Sequence, residues 1–214
     1  TAPPPEKRFA FFDLPTRGRL NLMIISHAHR FVFAHVPKTG GIAMRAALEP
    51  FADGRPDALP GTTHETLPAL LARRPDLASH FKFAFVRNPW ERLVSFHAHA
   101  RRYLSHALPG FEGLSFTAML RLLDRGAAWL ESLHAIRPQS AHVRGADFVG
   151  RFERIAGDFA HICDRLGLST ALSRRNTSDH GAYASYYDDW SRGFVACRYA
   201  DDIDQFDYSF GAVS

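Results

Sequence analysis

With 214 residues, 46% of them hydrophobic and 22% charged, the chain has the make-up of a soluble globular protein and fits one domain, 1–214, with a substantial buried core. Its formal charge of +4 favours anionic ligands, but pairs such as Arg73-Arg74 and Arg101-Arg102 are short and scattered, so nucleic acid is not an expected partner. No apolar run approaches the roughly 18 residues of a membrane span, and Cys163 and Cys197 offer neither a disulfide framework nor a C-x-x-C pattern, so a reducing, cytoplasmic setting is the simpler expectation.

Thr1 to Lys7 is proline-rich and reads as an extended arm, flexible over about residues 1–8. It lacks the charged-then-apolar build of a secretory signal, although without an initiator methionine a processed lumenal or secreted start stays open. Phe9, Phe11, Phe12 and Leu14 are expected to pack on the domain, and Leu20 to Ile25 to form an edge strand or a lead-in to the first central strand. His27-x-His29 could share a strand face, but no carboxylate or third histidine stands nearby, so no metal site is expected. Phe31 to Val36 then reads as a buried strand, short, aromatic and β-branched. Pro37 ends it, Gly40-Gly41 permits a tight turn, and Ile42, Ala46 and Ala47 begin a short helix running to about Leu48. A strand, a glycine turn holding Lys38, and a helix N-terminus make an anion site from free N–H groups and the helix dipole. The order differs from the nucleotide-triphosphate loop G-x-x-x-x-G-K-[ST], because Lys38 and Thr39 precede the glycines.

Phe51 to Thr63 reads as a surface loop, and Leu67, Leu70 and Leu71 take helical spacing, so His64 lies just before a helix start. Phe81 to Val86 is a second central strand. Behind it Asn88 suits an N-cap, Pro89 the first helical position, and Glu91 a capping box, with the helix continuing towards Tyr103. Arg87 therefore leaves the strand end and Ser95 lies about two turns into the helix; His97 and His99, two apart, point to different helix faces. A guanidinium fork and a hydroxyl so placed can grip a phosphate. Tyr103 to Gly113 reads as a loop, Ser115 as the cap of a helix with Phe116, Met119, Leu120 and Leu123, and Ala127 to Ile136 as another short helix. Asp147 to Glu153 is a third strand with a turn. Ile155 to Leu166 is an amphipathic helix with Phe159, Ile162, Cys163 and Leu166 inward, Cys163 a buried thiol and Gly167 at C′. Ser173 to Thr177 is a basic loop, and the aromatics from Phe206 to Phe210 are expected to dock the C-terminal segment on the core.

Pro37-Lys38-Thr39-Gly40-Gly41 resembles the 5′-phosphosulfate loop of the sulfotransferases that use 3′-phosphoadenylyl sulfate, in the P-K-T-G-G form of the carbohydrate sulfotransferase-like group (sulfotransferase family 2 type). Arg87 to Ser95 resembles that family's 3′-phosphate motif, an arginine and a serine spaced likewise. Gly150-Arg-Phe-Glu153 and the closing Ile203 to Gly211 resemble further family segments, so the likeness runs from about Arg30 to Gly211. It implies a three-layer, P-loop-like α/β fold with a central, mainly parallel sheet flanked by helices, and ligands at the carboxyl ends of the strands.

For the site, the likeness implies donor contacts from Lys38, Thr39, Gly40, Gly41, Ile42, Ala43, Arg87, Ser95 and Arg175 (or Arg174), with Lys38 near the bridging oxygen and His64 as general base. Glu65 and His106 are the alternative bases, and Gln139 is an acceptor contact. The co-substrate would be 3′-phosphoadenylyl sulfate, the product 3′,5′-bisphosphoadenosine, the acceptor a hydroxyl and most naturally a sugar's, with no metal. Relatives carry Thr-Ser where this chain has Ile42 and Ala43, a loss of roughly 1.5–3 kcal/mol per unreplaced charge-assisted bond. The N–H groups of Gly41, Ile42 and Ala43 remain as expected donors. The competing readings are a non-catalytic anion- or nucleotide-binding homologue and an ATP-dependent phosphotransferase.

Overall fold

A computed structural model describes residues 23–53, 65–104, 111, 113–172 and 181–211. Four strands, β1 (Ile24–Ser26), β2 (Phe31–Ala34), β3 (Phe81–Val86) and β4 (Phe148–Arg151), form one sheet in that order. β1 runs antiparallel to β2, while β2, β3 and β4 are mutually parallel, with Ala34 opposite Ala84 and Val86 opposite Arg151. The expected α/β fold with a mainly parallel sheet is therefore what the chain adopts. His27 and His29 lie in the turn between β1 and β2 rather than on a strand face.

Alternate residues of the central strands serve two different cores. Phe31, Phe33, Phe83 and Phe85 point to one face, where α1 (Gly41–Leu48) contributes Met44 and Leu48 and α7 (Ile155–Leu166) contributes Phe159, Ile162 and Cys163. Val32, Ala34, Ala84 and Val86 point to the other, against Leu67 and Leu70 of α2 (Leu67–Arg73), Val143 of α6 (Gln139–Val143) and Phe206 of α9 (Ala200–Phe206). Strands buried on both sides carry no polar alternation, which is why they read as continuous apolar runs. A third core lies beside the sheet, where α3 (Pro89–His99) packs with α4 (Phe116–Asp124), α5 (Ala128–Glu131) and α8 (Asp189–Arg198).

Ser115 caps α4 through its hydroxyl and Gly167 closes α7 at φ 64°, as expected; Thr66 caps α2 in the same way as Ser115. The helix expected over Ala127 to Ile136 is broken into α5 and a 3₁₀ turn at His134–Ile136. Ser132, between them, gives its hydroxyl to the Trp129 carbonyl at 2.7 Å, a local bond that competes with helix continuation. Phe206 and Tyr208 are buried and Phe210 lies edge-on to Trp90, Tyr183 and Tyr187, so the closing aromatics dock as expected. Among the described residues, no helix is long and apolar enough to cross a membrane.

Candidate functional site

Beyond β2 the chain turns sharply at the carboxyl end of the sheet. Lys38 takes φ 70° and Gly40 φ 81°, so a lysine occupies a left-handed conformation that side chains rarely adopt. Thr39 is fully buried and its hydroxyl donates to the Val36 carbonyl at 2.8 Å, closing the turn. The two glycines answer different constraints. At Gly40 the positive φ comes with a close neighbour, since a Cβ would meet Ile155 Cδ1 at 2.6 Å. At Gly41 only space decides, because a Cβ would fall 1.9 Å from the His35 ring. The His35 imidazole thus lies across the first turn of α1, which has no side-chain cap. The Ala43 N–H, expected as a free donor, is spent on the Gly40 carbonyl at 3.0 Å. Gly41 and Ile42 keep N–H groups without a partner among the described residues. Ile42 projects its side chain outward, 61% exposed, and Ala43 is buried.

The second turn meets the first. Arg87 follows β3, the parallel neighbour of β2, and its Nη1 donates to the Lys38 carbonyl at 3.4 Å. Its Nη2 pairs with Glu91 at 2.8 Å and its guanidinium lies 4.1 Å over the Phe152 ring. Glu91 was expected to reach back to Asn88 in a capping box; it takes Arg87 instead, and Glu153 accepts the Asn88 N–H at 2.6 Å. Asn88 does cap α3, its Oδ1 accepting from Trp90 and Glu91. Gln139, expected as an acceptor contact, is fully buried: its amide accepts from the Arg87 N–H at 2.9 Å and donates to the Arg87 carbonyl at 2.8 Å. It is a clamp on the backbone of Arg87. Asp202 in turn accepts from the N–H groups of Gln139 and Ser140 at 2.8 and 2.7 Å, capping α6 from another element.

Polar groups converge here with their valences unspent. The Lys38 ammonium and the buried Ser95 hydroxyl have no hydrogen-bond partner among the described residues. Burial, and next the charge of Arg87, pull the Lys38 pKa down to about 8. Burial, and next the charge of Arg45, push His35 down to about 3, so its ring is neutral at any working pH. His99 is lowered to about 4 by burial and then by Lys38. Such a set suits an anion: it supplies cations and N–H donors in a partly dry setting, and a bound phosphate would restore the proton affinity that burial removes from Lys38.

The structure joins Lys38, Thr39, Gly40 and Gly41 to Arg87 in this one region, and Ser95 stands one helical turn beyond Glu91, the Arg87 partner, on α3. His64, His106, Arg174 and Arg175 lie outside the described residues. Glu65, the alternative base, pairs with Arg73 at 2.7 Å. Reading by motif missed Phe152, Glu153, His35 and Asp202; the first two stand within the segment read as a third strand with a turn, and its strand β4 lies at the edge of the sheet. Among the described residues no group of three or more His, Cys, Asp or Glu could hold a metal ion.

A model of the sulfotransferase family matches residues 21–209. Carbohydrate sulfotransferase 14 of Mus musculus and that of Homo sapiens are each 29% identical over 72% of this chain and 49% of theirs. The chain thus spans about half the length of these curated relatives. No solved structure matches.

Proposed function

The chain belongs to the sulfotransferase family, and from that premise we propose that it carries the sulfuryl group of 3′-phosphoadenylyl sulfate to an acceptor hydroxyl, most naturally a sugar's. The name of its relatives, carbohydrate sulfotransferase 14, supports the sugar. The observation that carries the donor reading is the meeting of Arg87 with the Lys38 carbonyl at 3.4 Å, across the ends of adjacent parallel strands. One anion held at the α1 N-terminus by Gly41, Ile42 and Lys38 then has a second held nearby by Arg87 and Ser95, with Arg175 added from the basic loop. Thr39 serves through its backbone, its hydroxyl being engaged with Val36.

In this reading the acceptor oxygen attacks sulfur as the bond to the bridging phosphate oxygen breaks, and 3′,5′-bisphosphoadenosine departs. His64 takes the hydroxyl proton, and Lys38 offsets the charge gathering on the bridging oxygen. No covalent enzyme intermediate and no metal is invoked. A second reading, binding without transfer, draws support from Ile42, which sets an exposed apolar side chain where relatives place a hydroxyl.

Calorimetry with 3′,5′-bisphosphoadenosine, against ATP with Mg²⁺, separates these readings. The wild type is expected to bind the bisphosphate selectively, and Arg87→Ala to lose at least tenfold in affinity, since it removes a charge-assisted contact. Preference for ATP, or binding indifferent to Arg87, would overturn the donor assignment. His64→Ala is expected to keep bisphosphate affinity while turnover drops by roughly 10²–10⁴; unimpaired turnover would put the base elsewhere.

A further inference from the structure

We propose that His99 is a further residue of the transfer centre, its imidazole facing the sulfuryl end beside Lys38, where it hydrogen-bonds the incoming hydroxyl. The inference rests on the sulfuryl-transfer reading and adds to it a residue that no motif singles out. Its first support is position along α3. Glu91, Ser95 and His99 stand four residues apart on one ridge of the helix, and Glu91 is already joined to Arg87 at the ridge's start. The ridge that begins at the Arg87 end therefore runs past the unpartnered Ser95 hydroxyl to His99.

The second support is what the ring does and does not touch. His99 is half-buried and packs on Tyr103, centroids 5.0 Å apart, yet neither ring nitrogen hydrogen-bonds a described residue. His97, two positions earlier, provides the contrast: its Nε2 donates to the Leu114 carbonyl at 2.7 Å within the third core, so it is spent on structure. A neutral imidazole offers one N–H and one lone pair, the pair of functions needed to hold a hydroxyl in place. His99 is near enough to Lys38 for the ammonium to oppose its protonation.

The third support is the backbone. Directly after His99 the helix widens into a π-turn over Ala100–Leu104, the kind of local expansion that recurs at functional sites, and that turn carries the half-exposed Tyr103 against which His99 rests. The groups around the ring are thus Tyr103 from the π-turn, in ring contact, and Lys38 from the loop, near enough for its charge to act on it, with Arg102 5.3 Å from the Tyr103 centroid.

The test uses the full chain with ¹³C-labelled histidine, the His99 signal being assigned through His99→Gln, which is expected to bind 3′,5′-bisphosphoadenosine within twofold of wild type. Saturating bisphosphate places an anion on Lys38, so the His99 titration midpoint is expected to rise by about one pH unit or more. Adenosine 3′-monophosphate, which lacks the 5′ group, is expected to leave it unchanged. Saturating bisphosphate with an unmoved His99 midpoint would overturn this inference alone. Equal responses to both nucleotides would overturn it too, by putting His99 at the 3′ end. Absence of any bisphosphate binding in the wild type would overturn the donor reading and this inference with it.

Discussion

At the level of single residues the loop between β2 and α1 is built on exclusion as much as on attraction. Gly41 has an ordinary φ, so alanine there is opposed only by the His35 ring that would lie 1.9 Å from its Cβ. Gly41→Ala is expected to destabilise the fold by about 1–3 kcal/mol through overpacking and to weaken bisphosphate binding. Gly41→Ala with His35→Ala should recover much of both, which thermal melts and calorimetry on the three variants would check. Lys38 supplies a pH limb. Its pKa in the free protein is about 8, so the ammonium is present below that pH and lost above it. Bisphosphate affinity is therefore expected to be flat between about pH 7 and 8, where the phosphates are fully ionised, and to fall as pH rises past 8, and Lys38→Met should bind weakly and lack the limb. Lys38 and Arg87 were legible in the sequence because each closes a short local pattern of strand, turn and helix. His35 was not, because what it contributes is the volume of its ring over a residue six positions later.

At the level of elements, local chemistry marked the ends well and partners across the fold poorly. The strand at Phe81–Val86 and the helix at Ile155–Leu166 fall where their apolar spacing put them, since each is fixed by its own sequence. The cap of α3 shows the limit: the carboxylate that takes the Asn88 N–H belongs to Glu153, 65 residues away, and frees Glu91 for Arg87. No spacing rule reaches that far. Helix α6 is held the same way, its first N–H groups accepted by the buried Asp202 of α9, and through Gln139 this bears on the Arg87 backbone. Asp202→Ala leaves those donors buried and unpaired, at a cost on the order of 3 kcal/mol. Urea melts should show that loss, and bisphosphate affinity should fall with it because Arg87 loses its clamp.

Across the whole molecule, the parallel sheet could be read from two strand–turn–helix units in succession; the edge strand β1 overlaps the edge strand or lead-in expected over Leu20 to Ile25, but its antiparallel direction could not be read, since three residues carry too little pattern to set one. Two histidines, His35 beside the loop and His142 on α6, are kept neutral, chiefly by burial: His35 at about 3 and His142 at about 4. Unfolded, both would titrate near 6.5, so between roughly pH 6.5 and 4 the unfolded chain binds more protons and stability falls as pH drops. The loss is expected to be on the order of 3 kcal/mol for each histidine. Urea midpoints at pH 7 and pH 4.5 should differ accordingly, and His142→Phe should narrow the gap. The tie between Asn88 and the Ser209 carbonyl at 3.0 Å, beside that between Tyr208 and Glu153, has a bearing on how the chain is made. Asn88 leaves the ribosome 121 residues ahead of Ser209, on the order of ten seconds of synthesis. Throughout that interval the nascent chain holds both strand–helix turns while the segment that braces the second is still unmade, so the region around Asn88 is finished only as Tyr208 and Ser209 arrive.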